Sequence, residues 1–287
     1  MMKSSTGLRV YGVKGCPSIA MTATASNDEV KEVISALGLR TPPVILTSSP
    51  IQAHIKFSVL RRPASNHGID GSTTKDGVWS PGLMDLLMRI YLRSYIEDLE
   101  NGKEPKRCII FSRGINILAD IHHRLMEMTN YRYRDCRDSP FVINHSSLLP
   151  VSVKVIAERS SEISLYLSSN KMLLGIDIPN IDVIIFVRPY DQVSALIQGG
   201  GRGGRKLASG KRRKVQVYQL YNAQDLGAQN KAMSNMMRNI CRSKECTRSL
   251  LKNYFVGCDD GTDFENVDPS HCCHNCDQRS SSFTFEK

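Results

Sequence analysis

Long apolar runs are missing from this 287-residue sequence, and so is an apolar segment near its first residues. No run approaches the roughly 20 apolar residues that a membrane-spanning helix needs. The opening residues, Met-Met-Lys-Ser-Ser-Thr, lack the apolar centre of a secretion signal. We therefore expect a chain that contacts no membrane, is not secreted, and works in the nucleus of a eukaryotic cell or otherwise in the cytoplasm.

The sequence also has no excess of acidic over basic residues. The chain has 28 Asp and Glu against 38 Lys and Arg, which gives a formal net charge of +10. This balance favours a polyanionic partner. With 41% hydrophobic residues, the chain has enough apolar material for one large or two small domains with a real core.

A phosphate-binding loop of the form Gly-x-x-x-x-Gly-Lys-Ser/Thr is also missing. The nearest approach, Gly7-Leu-Arg-Val-Tyr-Gly-Val-Lys14, has valine where the lysine belongs. An Asp-Glu-x-His segment is absent too. The pair Asp28-Glu29 opens a predicted helix, where acidic charge complements the helix dipole. We therefore expect that this chain alone does not hydrolyse ATP.

Cysteines are scarce over most of the sequence but crowd one part of it. Six of the nine lie between positions 241 and 276. In a chain without an export signal, such crowding indicates a metal site rather than disulfides. The pair Cys273-x-x-Cys276 can bind one tetrahedral ion, and Cys246, on a predicted helix, can supply a third thiolate. The sequence therefore predicts one structural zinc ion.

The fourth zinc ligand remains open at this stage. Cys258 lies upstream in a polar loop, and Cys272 is adjacent to Cys273, a position from which two neighbouring thiolates rarely reach one ion with ease. The weaker candidates are Cys241, His271 and His274. For Cys241 the alternative is a core thiol, and for the two histidines it is a polar surface role.

Strand-like and helical segments alternate along most of the chain. The predicted strands cover residues 18–22, 55–60, 108–111, 141–143, 163–167, 183–187 and 215–220. The predicted helices cover residues 27–37, 81–101, 115–128, 193–197, 226–239 and 244–254, and residues 64–79 are predicted to form a loop. We expect Ser26 or Asn27 to cap the first helix, Gly38 to end it, and Ser80 to cap the second. The alternation predicts a parallel sheet covered by helices on both faces.

A run of glycines and two arginines, Gln198-Gly-Gly-Gly-Arg202-Gly-Gly-Arg205, follows the predicted 183–187 strand and 193–197 helix. Glycines let a backbone approach a polyanion closely, and arginines present donor forks that suit phosphate. A solvated linker is the alternative for the run by itself. The basic run 211–214 can track a phosphate backbone, or form a solvated hairpin tip.

Taken in order, these segments resemble a RecQ-type DNA helicase of superfamily two. The segments that carry the resemblance are Thr22-Ala-Thr24, Arg62-Pro63, residues 108–112, His145-Ser-Ser, residues 174–180, Gln198 to Arg205, residues 246–255 and Cys273-His-Asn-Cys276. The resemblance implies a RecA-like α/β fold with a parallel sheet covered by helices, followed by a small helical zinc-binding subdomain. It divides the chain into a remnant of the first RecA-like lobe (1–47), a second lobe (48–222) and a zinc-binding hairpin (223–287).

The resemblance also implies roles for individual residues. The catalytic residues would be Arg202, Arg205 and Gln198; the nucleotide-binding residues Asp177, Gly175 and Gly201; and the nucleic-acid-binding residues Thr22, Thr24, Ser112 and His145. Turn capping is the alternative role for Asp177, and strand propensity that for the two threonines. The implied activity is ATP-dependent unwinding of single-stranded or forked DNA in the 3′ to 5′ direction by a monomer, with ATP and Mg bound only together with a complete first lobe.

Two rival functions stay open. One is a non-catalytic nucleic-acid-binding module derived from a helicase. The other is the C-terminal lobe of an RNA helicase of the Asp-Glu-Ala-Asp type, against which the cysteine hairpin argues.

Overall fold

The computed structural model describes residues 19–22, 24–39, 42–46, 49–63, 72–73, 79–80, 82–135, 137–169, 178–204, 212–255 and 271–282. Its first helix, α1 (Asn27–Leu37), has the predicted bounds. Ser26 caps it through a reciprocal capping box with Glu29, and Gly38 ends it in the left-handed region at φ 57°. Local sequence signals therefore suffice to set both ends of this helix.

Six parallel strands form the main sheet, as the sequence predicts. They are β1 (Ile55–Arg61), β4 (Cys108–Phe111), β5 (Phe141–Asn144), β6 (Leu165–Ser168), β7 (Val183–Phe186) and β8 (Val215–Tyr221). Their order across the sheet is β1-β8-β7-β4-β6-β5. Two further short strands, β2 (Ser72–Thr73) and β3 (Trp79–Ser80), pair antiparallel within the 64–79 region that the sequence predicts to be a loop.

Helices cover the main sheet. They are α2 (Leu83–Leu87), a π-helical segment (Met88–Leu92), α3 (Arg93–Glu100), α4 (Ile115–Met128), α5 (Pro150–Glu158), α6 (Val193–Gly200), α7 (Asn235–Arg242), α8 (Thr247–Tyr254) and α9 (His274–Ser282). None of the helices in the described ranges is both long enough and apolar enough to cross a membrane. The predicted class, a parallel sheet covered by helices, is confirmed.

The apolar side chains of the sheet divide between two cores because neighbouring residues of a strand face opposite ways. On one face, Ile109, Phe111 and Phe57 pack with α6, α7 and α8. On the other face, Cys108 and Ile110 pack with α2, α3 and α4. Burial on both faces explains why these strands appear in the sequence as short continuous apolar runs.

Two sequence-based predictions near the start of the described helices are wrong. Residues 19–22 form no strand, and Ile19 and Met21 are 84% and 92% exposed, so this apolar run is not buried. Ser80 lies in β3, and the following helix is capped by Gly82 instead. Neither the apolar run nor the serine before a proline shows whether a partner strand is present.

The predicted 226–239 helix is also wrong over its first part, because turns precede α7 and Ser234 caps it. Arg238 explains the turns: its guanidinium donates hydrogen bonds to the carbonyls of Leu226, Gly227 and Asn230, which bend back over α7. Two helices, α5 and α9, are missing from the sequence-based prediction.

Candidate functional site

Four cysteines come together at the end of the described chain. Cys246 is the N-cap of α8, Cys272 and Cys273 precede α9, and Cys276 lies in the first turn of α9. Their sulfur atoms all lie within 4.8 Å of one another. Within the described residues, this is the set that the sequence predicts, with Cys272 as the fourth member.

The distances between the sulfurs fit a tetrahedral metal site. Cys246 Sγ lies 3.5 Å from Cys272 Sγ, and Cys273 Sγ lies 3.9 Å from Cys246 Sγ and 3.5 Å from Cys276 Sγ. Zinc–sulfur bonds of about 2.3 Å in tetrahedral geometry place the sulfurs about 3.8 Å apart. All four cysteines are free thiols. The donor set and its spacing therefore fit a zinc ion held by four thiolates, which leaves no open position for catalysis.

The thiols affect one another's pKa strongly. Hydrogen bonds from Cys272 and Cys273 hold the pKa of Cys246 well below its usual range, while the same contacts raise the pKa of Cys272. Burial, together with the hydrogen bond to Cys273, raises the pKa of Cys276 to about 11. Four thiolates so close together would repel one another, and a bound cation would neutralise this charge.

The weaker ligand candidates lie elsewhere. Cys241 is buried in the core, and this burial raises the pKa of its thiol. His271 Nε2 lies 2.8 Å from the carbonyl oxygen of His54, and His274 Nε2 lies 3.0 Å from Gln278 Nε2. Each of these residues has the core or polar role that is the alternative to metal binding.

The cysteine cluster is joined to the edge of the main sheet. Cys273 forms a parallel bridge with Phe57 of the edge strand β1, and its side chain is part of the core. Lys56 Nζ forms an ion pair of 2.6 Å with Asp277 Oδ2 of α9. The cluster therefore covers part of a sheet edge that would otherwise offer unpaired backbone groups.

The glycine–arginine segment begins inside α6. Gln198, Gly199 and Gly200 form its last turn, and Gly201, Arg202, Gly203 and Gly204 follow as a loop, which we call the glycine–arginine loop (201–204). A Cβ on Gly203 would lie 2.6 Å from Val215 Cγ1. Gly204 has φ +61°, and a Cβ there would lie 2.3 Å from the His54 ring. These glycines are needed for close approach to the protein's own chain, a role that the sequence prediction did not include.

Gln198 is brought next to a residue predicted for nucleic-acid binding. Its Nε2 donates a hydrogen bond of 3.3 Å to Thr24 Oγ1. Thr22 Oγ1 in turn donates to the carbonyl of Thr24 at 2.9 Å. The segment is held further by a bridge between Ser26 and Phe255, at the end of α8. The N-terminal threonines therefore lie beside the last turn of α6.

Ser112 and His145 lie at the opposite ends of the strands from the glycine–arginine loop. They directly follow β4 and β5, at the carboxyl ends of the strands. Gly204 donates to the carbonyl of Ile181, which precedes β7, so the loop lies at the amino ends. Ser112 Oγ accepts from the amide of Gly114, and His145 Nδ1 accepts from that of Ser147. Ser112 and His145 therefore lie at the opposite ends of the strands from Thr24, although the resemblance assigns all three to nucleic-acid binding.

Several residues of the predicted sites lie outside the described residues. They are Asp177, Gly175, Arg205 and Cys258. Lys211, the first residue of the basic run, is outside them as well, whereas Arg212, Arg213 and Lys214 are exposed just before β8.

Two residues near the site were missed by sequence reasoning. Arg248 is 1% exposed and donates to the carbonyls of Gln52, Ala53 and Ile55. Burial, and to a lesser extent the nearby Arg212, lowers the pKa of His54 to about 4, so this ring is neutral near pH 7. The arginine two residues after a predicted metal ligand was the available signal, but its partners lie about 195 residues away in the sequence.

Comparison with known proteins identifies one region of the chain. Residues 85–206 match the family of the helicase conserved C-terminal domain. A curated relative, the ATP-dependent helicase Lhr-Core of Sulfolobus acidocaldarius, is 28% identical over 123 residues. The match covers 42% of this chain and 14% of the relative, so the chain spans about a seventh of the relative's length.

Solved structures with some similarity are also helicases or related ATPases. The Mycobacterium smegmatis helicase Lhr, bound to single-stranded DNA and AMP-PNP, gives a TM-score of 0.42 at 17% identity, over 70% of this chain and 22% of that one. The helicase MrfA, bound to DNA and AMPPNP, gives 0.42 at 16% identity, over 60% and 21%. The C-terminal domain of the DEAD-box protein Dbp5 gives 0.38 at 15% identity, over 60% and 79%. Residues 85–206, less than half of the chain, are therefore similar to the helicase conserved C-terminal domain.

Proposed function

We propose that this chain supplies the second RecA-like lobe and the zinc-binding hairpin of a RecQ-like, ATP-dependent helicase that unwinds DNA in the 3′ to 5′ direction. In this proposal residues 1–47 are the end of a first lobe, 48–222 the second lobe and 223–287 the hairpin. The observation that carries it is the four-cysteine cluster joined to β1 of the same lobe that holds the glycine–arginine loop. A helicase lobe of the Asp-Glu-Ala-Asp type normally lacks such a hairpin.

The proposed chemistry is phosphoryl transfer between two lobes. Catalysis of this kind depends on positioning and on neutralising charge at the γ-phosphate. Arg202 and Arg205 would reach ATP and Mg held by a complete first lobe, with Gln198 beside the nucleotide. Gly201 would allow close backbone approach, and Gly175 and Asp177 would contact the nucleotide. The 3.3 Å contact between Gln198 and Thr24 supports communication between the nucleotide and the proposed nucleic-acid residues Thr22 and Thr24.

Zinc has a structural part in this proposal. Cys246, Cys272, Cys273 and Cys276 would hold the ion, which crosslinks α8 to α9. Single-stranded or forked DNA is the proposed nucleic-acid partner, with Ser112 and His145 among its contacts. We propose that the protein acts as a monomer, in the nucleus of a eukaryotic cell or otherwise in the cytoplasm.

The ATPase activity of the purified chain tests the division of labour between lobes. We expect no ATP hydrolysis above background, with or without single-stranded DNA, because the sequence has neither a phosphate-binding loop nor an Asp-Glu-x-His segment. The measurement is phosphate release at saturating ATP and Mg. DNA-stimulated turnover that the Arg202→Ala variant abolishes would contradict the expectation and assign the whole active site to this chain.

A non-catalytic DNA-binding module is the second candidate function, and the net charge of +10 favours it. The two functions differ in what a separately expressed first lobe can do. If a RecQ-type first lobe that carries both missing motifs restores DNA-stimulated hydrolysis, and Arg202→Ala in this chain removes it, the helicase proposal stands. If DNA binds but no such lobe restores hydrolysis, the binding module is the better description.

A further inference from the structure

The turn at residues 52–55, just before β1, lies between the cysteine cluster and the glycine–arginine loop. Arg248, two residues after Cys246, donates from Nη1 to the carbonyl of Gln52 at 3.3 Å and from Nη2 to that of Ala53 at 3.0 Å. Its Nη2 also donates to the carbonyl of Ile55. A buried guanidinium needs such acceptors, because an unpaired charge in the interior is very costly.

The same arginine contacts the cysteine cluster. Its Nε donates to the carbonyl of Cys272 at 3.3 Å. His271 directly precedes Cys272 in the chain, and its Nε2 lies 2.8 Å from the carbonyl oxygen of His54. Since a carbonyl can only accept, Nε2 carries the proton in this contact. Side chains from both sides of the cluster therefore hold all four carbonyls of the 52–55 turn.

On its other side, the turn shapes the glycine–arginine loop. The His54 ring lies so close to Gly204 that a Cβ at this glycine would be 2.5 Å from His54 Nε2. The carbonyl of His54 accepts from the amide of Val215 at 2.8 Å, and Val215 in turn fills the space beside Gly203. The position of the turn therefore determines where the backbone of Gly203 and Gly204 can lie.

We propose that the 52–55 turn transmits the state of the cysteine cluster to the glycine–arginine loop, and that Arg248 is the positioning residue of this connection. The loop carries Arg202, so a metal ion at the cluster fixes the backbone from which this arginine extends. The inference rests on the proposed metal site and on the proposed role of Arg202. It assigns to the cluster a task beyond folding the hairpin, namely holding the glycine–arginine loop in position.

Amide hydrogen exchange tests the connection without DNA or ATP. We compare the reduced, zinc-loaded chain with the same chain after chelation, and follow the amides of Ile55, Gly204 and Val215. Each of these amides donates a hydrogen bond to a backbone carbonyl. The reference is the amide of Ser169, which donates to the carbonyl of Asn144 at the far edge of the sheet. Chelation should raise the exchange rates of the three amides by about tenfold or more, because the turn would lose hydrogen bonds that the charged Arg248 donates to it. The exchange rate of Ser169 should not change.

Variants separate a positioning role from a merely structural one. Arg248→Met should keep zinc yet raise exchange at Gly204 and Val215 to the level of the chelated protein. Arg248→Lys should recover part of the protection, because lysine keeps the charge but not the fork. Arg238→Met is the matched control, since Arg238 also donates to three carbonyls of a preceding turn but does not contact residues 52–55. It should leave both amides unchanged.

Three results would overturn the inference. The first is unchanged exchange at Gly204 in a zinc-loaded Arg248→Met protein. The second is a loop that responds to Arg248→Met but not to chelation, because the cluster would then have no influence. The third is equal responses to Arg248→Met and Arg238→Met. If Arg248→Met fails to fold, His271→Phe, which removes one of the two donors to the His54 carbonyl, takes its place in the same comparison.

The proposed function can fail separately. A chain that purifies without zinc would contradict the metal site, while the Arg248 and Arg238 comparison would still report on the connection from hairpin to loop. Conversely, a confirmed connection in a chain that binds no DNA would leave the coupling intact and remove the helicase role.

Discussion

At the scale of single residues, the sulfur atom of Cys272 decides the composition of the cysteine cluster. It lies 3.5 Å from Cys246 Sγ, although Cys273 beside it also points into the cluster. A bend at Cys272 and the bridge at Cys273 allow neighbouring residues to present both sulfurs to one point. We therefore propose Cys272 as the fourth ligand in place of Cys258.

Zinc content tests this assignment. We expect Cys272→Ser and Cys273→Ser each to reduce zinc from about one equivalent to below about half an equivalent, because a closed structural site needs all four ligands. Cys258→Ser and the buried-core control Cys241→Ser should keep the ion. The measurement is metal analysis of freshly purified, reduced protein. Zinc loss in Cys258→Ser, with retention in Cys272→Ser, would reverse the assignment.

His54 should make the stability of the protein depend on pH. Burial lowers its pKa from 6.5 to about 4, so on acidification the unfolded chain takes up the proton first. The contribution of His54 to the free energy of unfolding is therefore fully present above pH 6.5 and is lost as the pH falls through the window from about 6.5 to about 4. After allowance for partial exposure, the loss is at most about 2 kcal/mol.

Denaturant unfolding at several pH values measures this effect. In the wild type, the free energy of unfolding should fall more steeply between pH 6.5 and 4.5 than in His54→Gln. His122→Gln should flatten the curve as well, because burial also lowers the pKa of His122, which lies on α4. Parallel curves for wild type and His54→Gln would rule out a neutral, buried His54.

At the scale of elements, two glycines with nearly the same backbone conformation differ in their surroundings. Gly38 ends α1 at φ +57°, and a Cβ added there would have no other atom within 4 Å. Gly204 has φ +61° and packs against the His54 ring and the carbonyl of Arg213. Any difference between alanine substitutions at these two positions therefore measures packing rather than backbone strain.

We expect Gly38→Ala to lower the free energy of unfolding by about 1 kcal/mol, the cost of a left-handed alanine. Gly204→Ala should lower it by about 3 kcal/mol or more, because steric overlap adds to the same strain. Thermal and denaturant unfolding of the two variants give the comparison. Equal losses would show that the loop moves away from His54 at no cost, which would also weaken the proposed connection through the 52–55 turn.

The helices around the cysteine cluster differ in what holds them. Residues of α7 and α8 share the core of the sheet through Met237, Ile240 and Leu251. By contrast, α9 is tied mainly by Cys273, the Lys56–Asp277 ion pair and the contact of Asn275 with the carbonyls of Ser243 and Glu245. Loss of metal should therefore loosen α9 first and leave α7 and α8 on the lobe.

At the scale of the whole molecule, the net charge of +10 and the exposed basic residues before β8 predict DNA binding that is mainly electrostatic. If roughly four phosphates are neutralised, the logarithm of the affinity should fall with the logarithm of the salt concentration at a slope of about −3 to −4. Fluorescence anisotropy with labelled single-stranded DNA at several salt concentrations gives the slope.

Two double variants that remove the same charge show which part of the surface binds DNA. Arg212→Gln combined with Arg213→Gln should make the slope less steep by up to about 2, since each of these residues before β8 would release about one counterion. Arg132→Gln combined with Arg134→Gln removes the same charge before β5, on the far side of the sheet from β1 and β8, and should leave the slope unchanged. A slope that no variant alters, or an affinity independent of salt, is incompatible with the prediction.

Local patterns in the sequence were enough to predict the strands of the sheet and a cysteine-rich cluster. Strands such as β4 and β7 are buried on both faces, so each leaves a continuous apolar run that is recognisable without any partner. The ends of α1 were equally predictable, because Ser26, Glu29 and Gly38 act within one turn of the backbone. The Cys-x-x-Cys pair indicated a metal site for the same reason: its two ligands are three residues apart.

Which groups far apart in the sequence meet depends on the tertiary fold. No local pattern could show that residues 19–22 remain exposed, that Ser112 and Arg202 lie at opposite ends of the strands, or that Arg248 holds a turn about 195 residues earlier in the chain. Short-range signals arise from hydrogen bonds and side-chain periodicity within a few residues. Contacts such as His54 on Gly204 depend on the sheet order β1-β8-β7, which brings sequence-distant strands together and which no single segment encodes.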